Sequence, residues 1–537
     1  MTAERRRRWR RVPRSLAAMG LTALLAVGPA TPARAAPYEQ IEGTGSTWSA
    51  NAISQWTRDV RQFGNQVVYT ATGSSAGRKN FAQYQNDFGV SEIPYQGTDP
   101  VTGEADNSNR PYAYMPIVAG GTAFMYQLRV NGQLYRDLRL SGDTIAKIFT
   151  NQITKWNDPA ITADNNGRAL PALDIIPVVR SDGSGTTAQF TTWLDKKQTA
   201  RWRGYCGCRG LLSYYPRKGR QVARSGSDQV ADFVAADAGN GTIGYVEYSY
   251  ARNKNYPVAK MLNQKGFYVL PTDYNVAVAL TRAEINQNRS DPRLYLTQVL
   301  DKVYVNDDPR AYPLSSYSYM ILPTAANDQR LTPGKAKALA DFAYYFLCEG
   351  QRDAGALGYS PLPRNLVAAG FDQVKRISKL DPADLTNKNI GNCPNPTFDS
   401  RNPNRNKLAA EAPMPPACDA RGQGPCSGGG GSNGSGSGSG TGSGSGTGSG
   451  TGTDANGDGV PDGGAPVDTD GDGVADNATG GAEANGTVLG SATELAGFRG
   501  DGMSTALAIL AGLELLLVMI VPALVGRRLG RNRGEGQ

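Results

Sequence analysis

Residues 427–453 are almost entirely glycine, serine and threonine, and this run limits what the 537-residue chain can fold into. Such a run has no apolar side chains with which to build a core, and it behaves as a flexible coil roughly 30 Å from end to end. No function beyond spacing is needed for this run. Apolar periodicity and regularly spaced turn residues predict one large α/β unit over 36–379, followed by a tail rich in Pro, Asn and Cys over 380–426.

Both ends of the chain carry targeting patterns. Seven Arg between Arg5 and Arg14, a short apolar run and small residues up to Ala35 predict a secretory signal peptide over 1–35. Residues 503–525 are apolar over a length that crosses a bilayer, and four Arg follow within 526–537. The positive-inside rule then predicts a single-pass plasma-membrane anchor, with the C-terminus in the cytoplasm and the intervening chain exported to the cell surface.

Charge and histidine content exclude several classes of function. The net charge is +8, of which 1–35 hold +7 and 526–537 hold +3, which leaves −2 for the residues between them. The exported part therefore lacks the clustered positive charge that nucleic-acid binding requires, and no nucleic-acid partner is predicted. The sequence has no His, so Ser-His-Asp and Cys-His catalysis are excluded, and no enzyme activity is predicted.

Two short acidic repeats occupy 454–476, before a second linker over 477–502. Oxygen-bearing side chains at positions 1, 3, 5 and 9 with Gly at position 6 suit a hard cation, but position 12 lacks the Glu of an EF-hand. The pattern resembles the calcium repeats of thrombospondin type 3, and the alternative is an acidic, solvated spacer. The candidate Ca²⁺ ligands are Asp454, Asn456, Asp458, Asp462, Asp468, Asp470, Asp472 and Asp476. No cofactor is predicted to be required.

The six Cys all lie in the exported part, where disulfides form. Sequence alone does not choose among the 15 pairings that six Cys allow. Cys206 and Cys208 are expected to be too close to pair easily with each other.

Three segments place Gly, Ser and Thr where a strand runs into a helix, at 43–48, 73–77 and 180–187. The helices are expected to follow from Ala50, Arg78 and Ala188. A helix N-terminus leaves backbone N–H groups unpaired and carries partial positive charge, so three converging termini would bind an anion. The third segment adds Arg180, which can contact an oxyanion bidentately, and Asp182, which can hold the guanidinium in place. The alternative for each segment taken alone is a simple helix cap.

From about residue 40 to 375 the chain resembles the PstS family, the periplasmic phosphate-binding proteins of phosphate ABC transporters. The resemblance rests on the order and spacing of GTGSTW, GSSAG, DFGVSE, KIFTNQITKWNDPAI, VVRSDGSGTT, GTIGYVEYSYA and LGYSPLP. It implies an α/β fold of the type II periplasmic-binding-protein class, with two lobes and a cleft between them. One lobe would combine about 38–116 with 314–379, the other would be 117–313, and two crossovers near 115–118 and 312–315 would form the hinge.

The resemblance also implies which residues contact phosphate. They are Thr47, Trp48 (through its backbone N–H), Ser74, Glu92, Arg180, Ser184, Gly185 (backbone N–H) and Thr186, with Asp182 orienting Arg180. Glu92 stands where the family usually has Asp. It would be the lone acceptor, which takes a hydrogen bond from the proton that phosphate carries and sulfate lacks.

The implied function is that of a membrane-tethered extracytoplasmic binding protein, which delivers phosphate to an ABC permease or senses it. A C-terminal anchor departs from the family, whose members are usually free or lipidated. The alternatives are a surface adhesion or interaction protein that reuses the fold, or a binder of another oxyanion.

Overall fold

The computed structural model describes residues 38–386, 388–424 and 426. The predicted signal peptide, the Gly/Ser/Thr spacer, the acidic repeats with their Ca²⁺ candidates, the linker 477–502, the apolar span 503–525 and the basic tail all lie outside these residues. Among the described residues, no helix combines the length and the apolar character that a membrane crossing needs.

The strands are, in chain order, β1 Ile41–Gly45, β2 Val67–Thr70, β3 Phe88–Ser91, β4 Gly97–Thr98, β5 Ala105–Asp106, β6 Tyr112–Tyr126, β7 Arg129–Val130, β8 Gln133–Leu134, β9 Arg139–Leu140, β10 Ile176–Arg180, β11 Val222–Arg224, β12 Thr242–Glu247, β13 Lys260–Leu262, β14 Tyr268–Val269, β15 Glu284–Ile285, β16 Gln298–Val299 and β17 Ser315–Pro323.

The α-helices are α1 Ala50–Arg61, α2 Ser74–Ala82, α3 Gly142–Phe149, α4 Pro159–Asp164, α5 Gly185–Lys197, α6 Thr199–Cys206, α7 Gly226–Ala235, α8 Tyr248–Asn253, α9 Asp273–Leu280, α10 Pro333–Leu347, α11 Ala354–Leu357, α12 Arg364–Val374 and α13 Lys407–Glu411.

An eight-stranded sheet organises these elements, in the order β11-β10-β12-β6-β17-β3-β1-β2. At its centre β6 and β17 pair antiparallel, and all fifteen residues of β6 are buried, as expected for a strand covered on both faces. Outside them, β1 pairs parallel with β2 and β3, and β10 pairs parallel with β11 and β12. Two parallel α/β halves are therefore joined by two long antiparallel strands.

Each half has its own hydrophobic core. The first core takes its buried residues mainly from 41–119 and 317–393, and the second from 124–314 and 408–412. We call the two halves the first and second lobe. Because β6 and β17 supply residues to the first lobe and lead directly into the second, these strands form the two crossovers of a two-lobed α/β fold.

The tail segment, residues 388–424, packs against both lobes. On the first lobe, the Asn395 side chain donates to the carbonyl of Leu362 at 2.9 Å. On the second, Leu408 of α13 is buried in the core, and Asp419 forms an ion pair of 3.0 Å with buried Arg139. The segment that the sequence sets apart as a Pro/Asn/Cys tail is therefore a third connection between the lobes.

The six Cys form three disulfides, Cys206–Cys208, Cys348–Cys393 and Cys418–Cys426. The expectation that Cys206 and Cys208 would not readily pair is wrong. Gly207 between them is in the left-handed conformation at the end of α6, and this turn brings the two Cα atoms to 5.1 Å, within the range of ordinary disulfides.

Candidate oxyanion-binding site

The carboxyl ends of the parallel strands bring the predicted site residues together. Thr47 and Trp48 follow β1, Ser74 follows β2, Glu92 follows β3, and the segment 180–186 ends β10 and opens α5. Within each half the parallel strands end on the same side, which is where α/β proteins bind their ligands. β3 runs in the same direction as β6, whereas β10 and β12 run opposite to it, so the carboxyl ends of the two halves face each other across the cleft. The side chains of the predicted ligand residues are 3% exposed or less, whereas Asp182, which is predicted to orient Arg180, is partly exposed.

Two helices begin earlier than the sequence predicts. α2 starts at Ser74 rather than at Arg78, and α5 starts at Gly185 rather than at Ala188. The small residues therefore form the first helical turns themselves, where backbone N–H groups have no partner within the helix. Ser184 is the N-cap of α5, and its hydroxyl accepts from the Thr187 N–H at 3.1 Å.

Arg180 is buried and is held from one side by Asp182. Its Nε donates to Asp182 Oδ1 at 2.7 Å, and its Nη2 donates to Asp182 Oδ2. Burial would raise the pKa of Asp182, but the charge and hydrogen bonds of Arg180 outweigh it, and the pKa lies below its usual value. Nη1 points to hydroxyls instead, with Ser227 Oγ at 3.1 Å and Thr186 Oγ1 at 3.5 Å.

Glu92 is the central carboxylate of the candidate site. Ser46 Oγ donates to its Oε1, and Ser74 Oγ donates to its Oε2 at 2.7 Å. A Cβ at Gly185 would collide with Glu92 Oε2, so only a glycine there lets the carboxylate reach the start of α5. Burial raises the pKa of Glu92, and the hydrogen bonds from the two serines partly oppose that shift.

The two lobes touch directly at the site. The Gly185 N–H of the second lobe donates to Ser74 Oγ of the first at 3.0 Å, and the Ser75 N–H donates to the Gly183 carbonyl at 3.0 Å. The side chain of Gln189, on α5, donates to the Glu92 carbonyl at 2.9 Å. The structure is thus a closed arrangement in which groups from both lobes surround one buried spot.

The start of α7 is a further part of the site that the sequence analysis missed. The Gly226 N–H donates to Asp182 Oδ1 at 2.9 Å, and Ser227 Oγ lies 3.1 Å from Thr47 Oγ1 across the cleft. A signal was present, because β11 runs into Ser225, Gly226 and Ser227 in the same strand, small residue and helix pattern as the other segments. Ser46 and Tyr250, whose hydroxyl donates to the Thr47 carbonyl, were also missed.

The arrangement can hold a tetrahedral oxyanion. It combines one guanidinium, several hydroxyls and the N-termini of three helices of nine residues or more with a single central carboxylate. The described residues contain no group of three or more Asp, Glu or Cys arranged to hold a metal ion.

Comparison with known proteins defines the class. The family model of the PBP superfamily domain matches residues 30–349. The phosphate-binding protein PstS of Xylella fastidiosa is 31% identical over 329 residues, which cover 61% of this chain and 83% of that protein. The phosphate-binding protein PstS of Methanocaldococcus jannaschii is 32% identical over 354 residues, covering 63% of this chain and 86% of that protein. A solved phosphate-binding protein from Stenotrophomonas maltophilia is 18% identical, with a TM-score of 0.47, and covers 64% of this chain and 99% of that one.

The match to the PBP superfamily, together with relatives above 30% identity, shows that the chain belongs to the PstS family of this superfamily. It is accordingly a binding protein and not an enzyme.

Proposed function

We propose that this chain is an extracytoplasmic protein that binds inorganic phosphate in the cleft between its lobes. One observation carries the proposal: the Arg180 guanidinium, several hydroxyls and three helix N-termini lie together in a buried site around a single carboxylate, Glu92. The relatives above, which are phosphate-binding proteins, support the same ligand.

Glu92 gives the proposed site its means of selecting phosphate. Phosphate carries a proton at neutral pH and can donate a hydrogen bond through it to Glu92, whereas sulfate is fully ionised and would face the carboxylate as a second acceptor. A buried acceptor without a donor costs about 1–3 kcal/mol, and more when it is charged. The longer side chain suits this role because its two oxygens are fixed by Ser46 and Ser74 beside Gly185. Thr47, the Trp48 and Gly185 N–H groups, Ser184 and Thr186 would supply the remaining donors.

We further propose that the protein is tethered at the cell surface and delivers phosphate to an ABC permease, or senses it. The apolar span 503–525 and the spacer 427–453 support the tether, and the resemblance to the binding proteins of phosphate ABC transporters supports the link to transport. The acidic repeats over 454–476 would bind Ca²⁺ weakly within the tether. A surface interaction protein that reuses the fold would instead lose partner binding, and keep phosphate uptake, when 427–502 are deleted.

Titration calorimetry on the full-length chain, freed of bound anion by unfolding and refolding, tests the binding step. Phosphate should bind tightly at neutral pH, and sulfate should give no measurable heat. Failure to bind any tetrahedral oxyanion, in protein shown to be folded by circular dichroism, would contradict the proposal.

A further inference from the structure

Glu247 is a buried carboxyl group that the site described above does not use. It is the last residue of β12, lies opposite Thr122 of β6 in the sheet and is 0% exposed. Its Oε2 accepts from the Ser249 N–H at 2.7 Å, whereas its Oε1 is buried without a hydrogen-bond partner. No Lys or Arg of the described residues forms an ion pair with it. A carboxyl group in such surroundings is far more stable neutral than charged.

Glu247 caps the helix α8, and α8 contacts the first lobe next to the candidate site. α8 begins at the next residue, and the Asn51 side chain of α1 donates to Ser249 Oγ at 2.8 Å. The hydroxyl of Tyr250 donates to the Thr47 carbonyl. The first turn of α8 therefore holds the start of α1, where the predicted ligand residues lie.

Trp48 links Glu247 to the same loop from the other side. A Cβ at Gly120 would lie 2.8 Å from the Trp48 ring and 3.0 Å from Glu247 Oε1, so both side chains pack against this glycine of β6. The Trp48 carbonyl accepts from the Tyr359 hydroxyl at 2.6 Å, and Tyr359 Oη lies 3.3 Å from Ser249 Oγ. Glu247, Ser249, Tyr359 and Trp48 thus form one buried cluster that spans both lobes.

We propose that Glu247 is a positioning residue for the anion site, which as a neutral acid keeps α8 in contact with the Thr47–Trp48 loop and which loosens the closed cleft when it ionises. The inference rests on the proposed phosphate binding. A charge created on Glu247 in the closed form has no cation to pair with, and opening the lobes to water relieves that cost.

The titration behaviour of the cluster agrees with this geometry. Burial raises the pKa of Glu247 to about 8, and the hydrogen bonds from Ser249 only partly oppose it. The titratable groups that face it are Tyr248 and Tyr250 of its own helix and Tyr359 of the first lobe. Burial raises the pKa of all three above the usual tyrosine value, so they stay neutral through pH 9.

The sign of the pH dependence follows from the raised pKa. If the pKa is higher in the closed form than in the open form, the closed form binds the proton more tightly and is favoured at low pH. Phosphate affinity then falls as pH rises from the open-form pKa towards about 8, and it levels off above that value. Each pKa unit between the two forms weakens binding about tenfold.

The test compares phosphate dissociation constants from pH 5 to pH 9 for the full-length wild type and Glu247→Gln. Gln keeps the size of the side chain and an oxygen for the Ser249 N–H, but it cannot ionise. The ionisation of phosphate and of Glu92 is common to both proteins and cancels in the ratio of their constants. We expect the ratio of the wild-type dissociation constant to that of the variant to be near one at pH 5. The ratio should rise up to about pH 8 and stay level above that pH. The exposed Glu349, which forms no ion pair among the described residues, supplies the control Glu349→Gln, whose ratio to wild type should not change with pH.

A ratio that is independent of pH would overturn the inference while leaving phosphate binding intact, and absence of phosphate binding at every pH would overturn both. If Glu247→Gln does not fold, the inference can be tested on the wild type alone. Carbon NMR of labelled glutamate carboxyl groups then measures the pH at which each of them titrates. One buried glutamate should titrate at a higher pH with phosphate than without it. This separates it from Glu92, because a carboxylate that accepts a hydrogen bond from phosphate should titrate at a lower pH. No upward shift would overturn the inference.

Discussion

At the scale of single residues, Arg180 is the strongest donor that the cleft offers to an anion. Asp182 occupies two of its nitrogens and leaves Nη1 facing the cleft hydroxyls. We expect Arg180→Ala to weaken phosphate binding by about 1.5–3 kcal/mol, roughly 10- to 150-fold, because a charge-assisted hydrogen bond is lost. Calorimetry measures the change, with Arg293→Ala as the control because Arg293 is an exposed arginine paired with an aspartate two residues away. Equal affinities for wild type and Arg180→Ala would show that the anion binds elsewhere.

Glu92 should affect selectivity more than affinity. In Glu92→Gln, the side-chain amide offers a donor where the carboxylate offered only acceptors, so a sulfate oxygen is no longer opposed. We expect the preference for phosphate over sulfate to fall by about 1–3 kcal/mol, roughly 5- to 150-fold. Paired phosphate and sulfate titrations measure the preference. A preference as strong as that of the wild type would mean that Glu92 does not sense the proton.

At this scale the structure brings together residues that the sequence had singled out, because a charged side chain in a distinctive string is visible without a structure. Arg180 with Asp182, and Glu92 at the end of DFGVSE, are such cases. Ser227 is not, because a serine before a helix is usually only a cap. Its role depends on β11 lying next to β10 in the sheet, and three strand residues do not reveal that pairing.

At the scale of elements, the site is built from the first turns of helices that follow parallel strands. α7 contributes through Ser227, which contacts Arg180 Nη1 at 3.1 Å and Thr47 Oγ1 at 3.1 Å. We expect Ser227→Ala to weaken phosphate binding by about 0.5–1.5 kcal/mol, since it removes one neutral hydroxyl from the cluster and leaves the α7 backbone in place. Calorimetry beside the exposed-site control Ser290→Ala measures this change. An unchanged affinity would place α7 outside the binding site.

Element boundaries show why the sequence misplaced the starts of α2 and α5. Gly and Ser have weak helix propensity, which favours reading them as the loop before a helix. In the structure the Ser184 cap and the contacts across the cleft hold these residues in the first turn. Contacts between lobes are not visible in a local pattern, so the propensity rule failed where the candidate site lies.

At the scale of the whole molecule, the third connection between the lobes is the feature that sequence patterns missed. The tail segment is poor in apolar residues, and that composition predicts little packing. Instead of a broad apolar face, three separate interactions attach the tail segment to the lobes. They are the Cys348–Cys393 disulfide, the short helix α13 in the second core, and the ion pair of Asp419 with Arg139. Each depends on a partner distant in sequence, and the pairing of six Cys cannot be read from their spacing.

The disulfides differ in how much they should stabilise this arrangement. Cys348–Cys393 closes a loop across 45 residues and fixes the tail segment to the first lobe, whereas Cys206–Cys208 joins residues two apart. A crosslink stabilises chiefly by restricting the unfolded chain, and the effect grows with loop length. We expect replacing Cys348 and Cys393 by Ser to lower the free energy of unfolding by roughly 2–4 kcal/mol. The same replacement at Cys206 and Cys208 should cost far less, and chemical denaturation of both double variants compares them.

The two double variants also show whether the tail segment restricts the opening of the lobes or only stabilises the folded protein. If the tail segment limits how far the lobes open, releasing it from the first lobe should speed phosphate release, whereas the Cys206/Cys208 variant should release phosphate at the wild-type rate. Stopped-flow measurement of phosphate release provides both rates. Unchanged release in the Cys348/Cys393 variant, with its stability lowered as expected, would show that β6 and β17 alone control opening and that the third connection serves only stability.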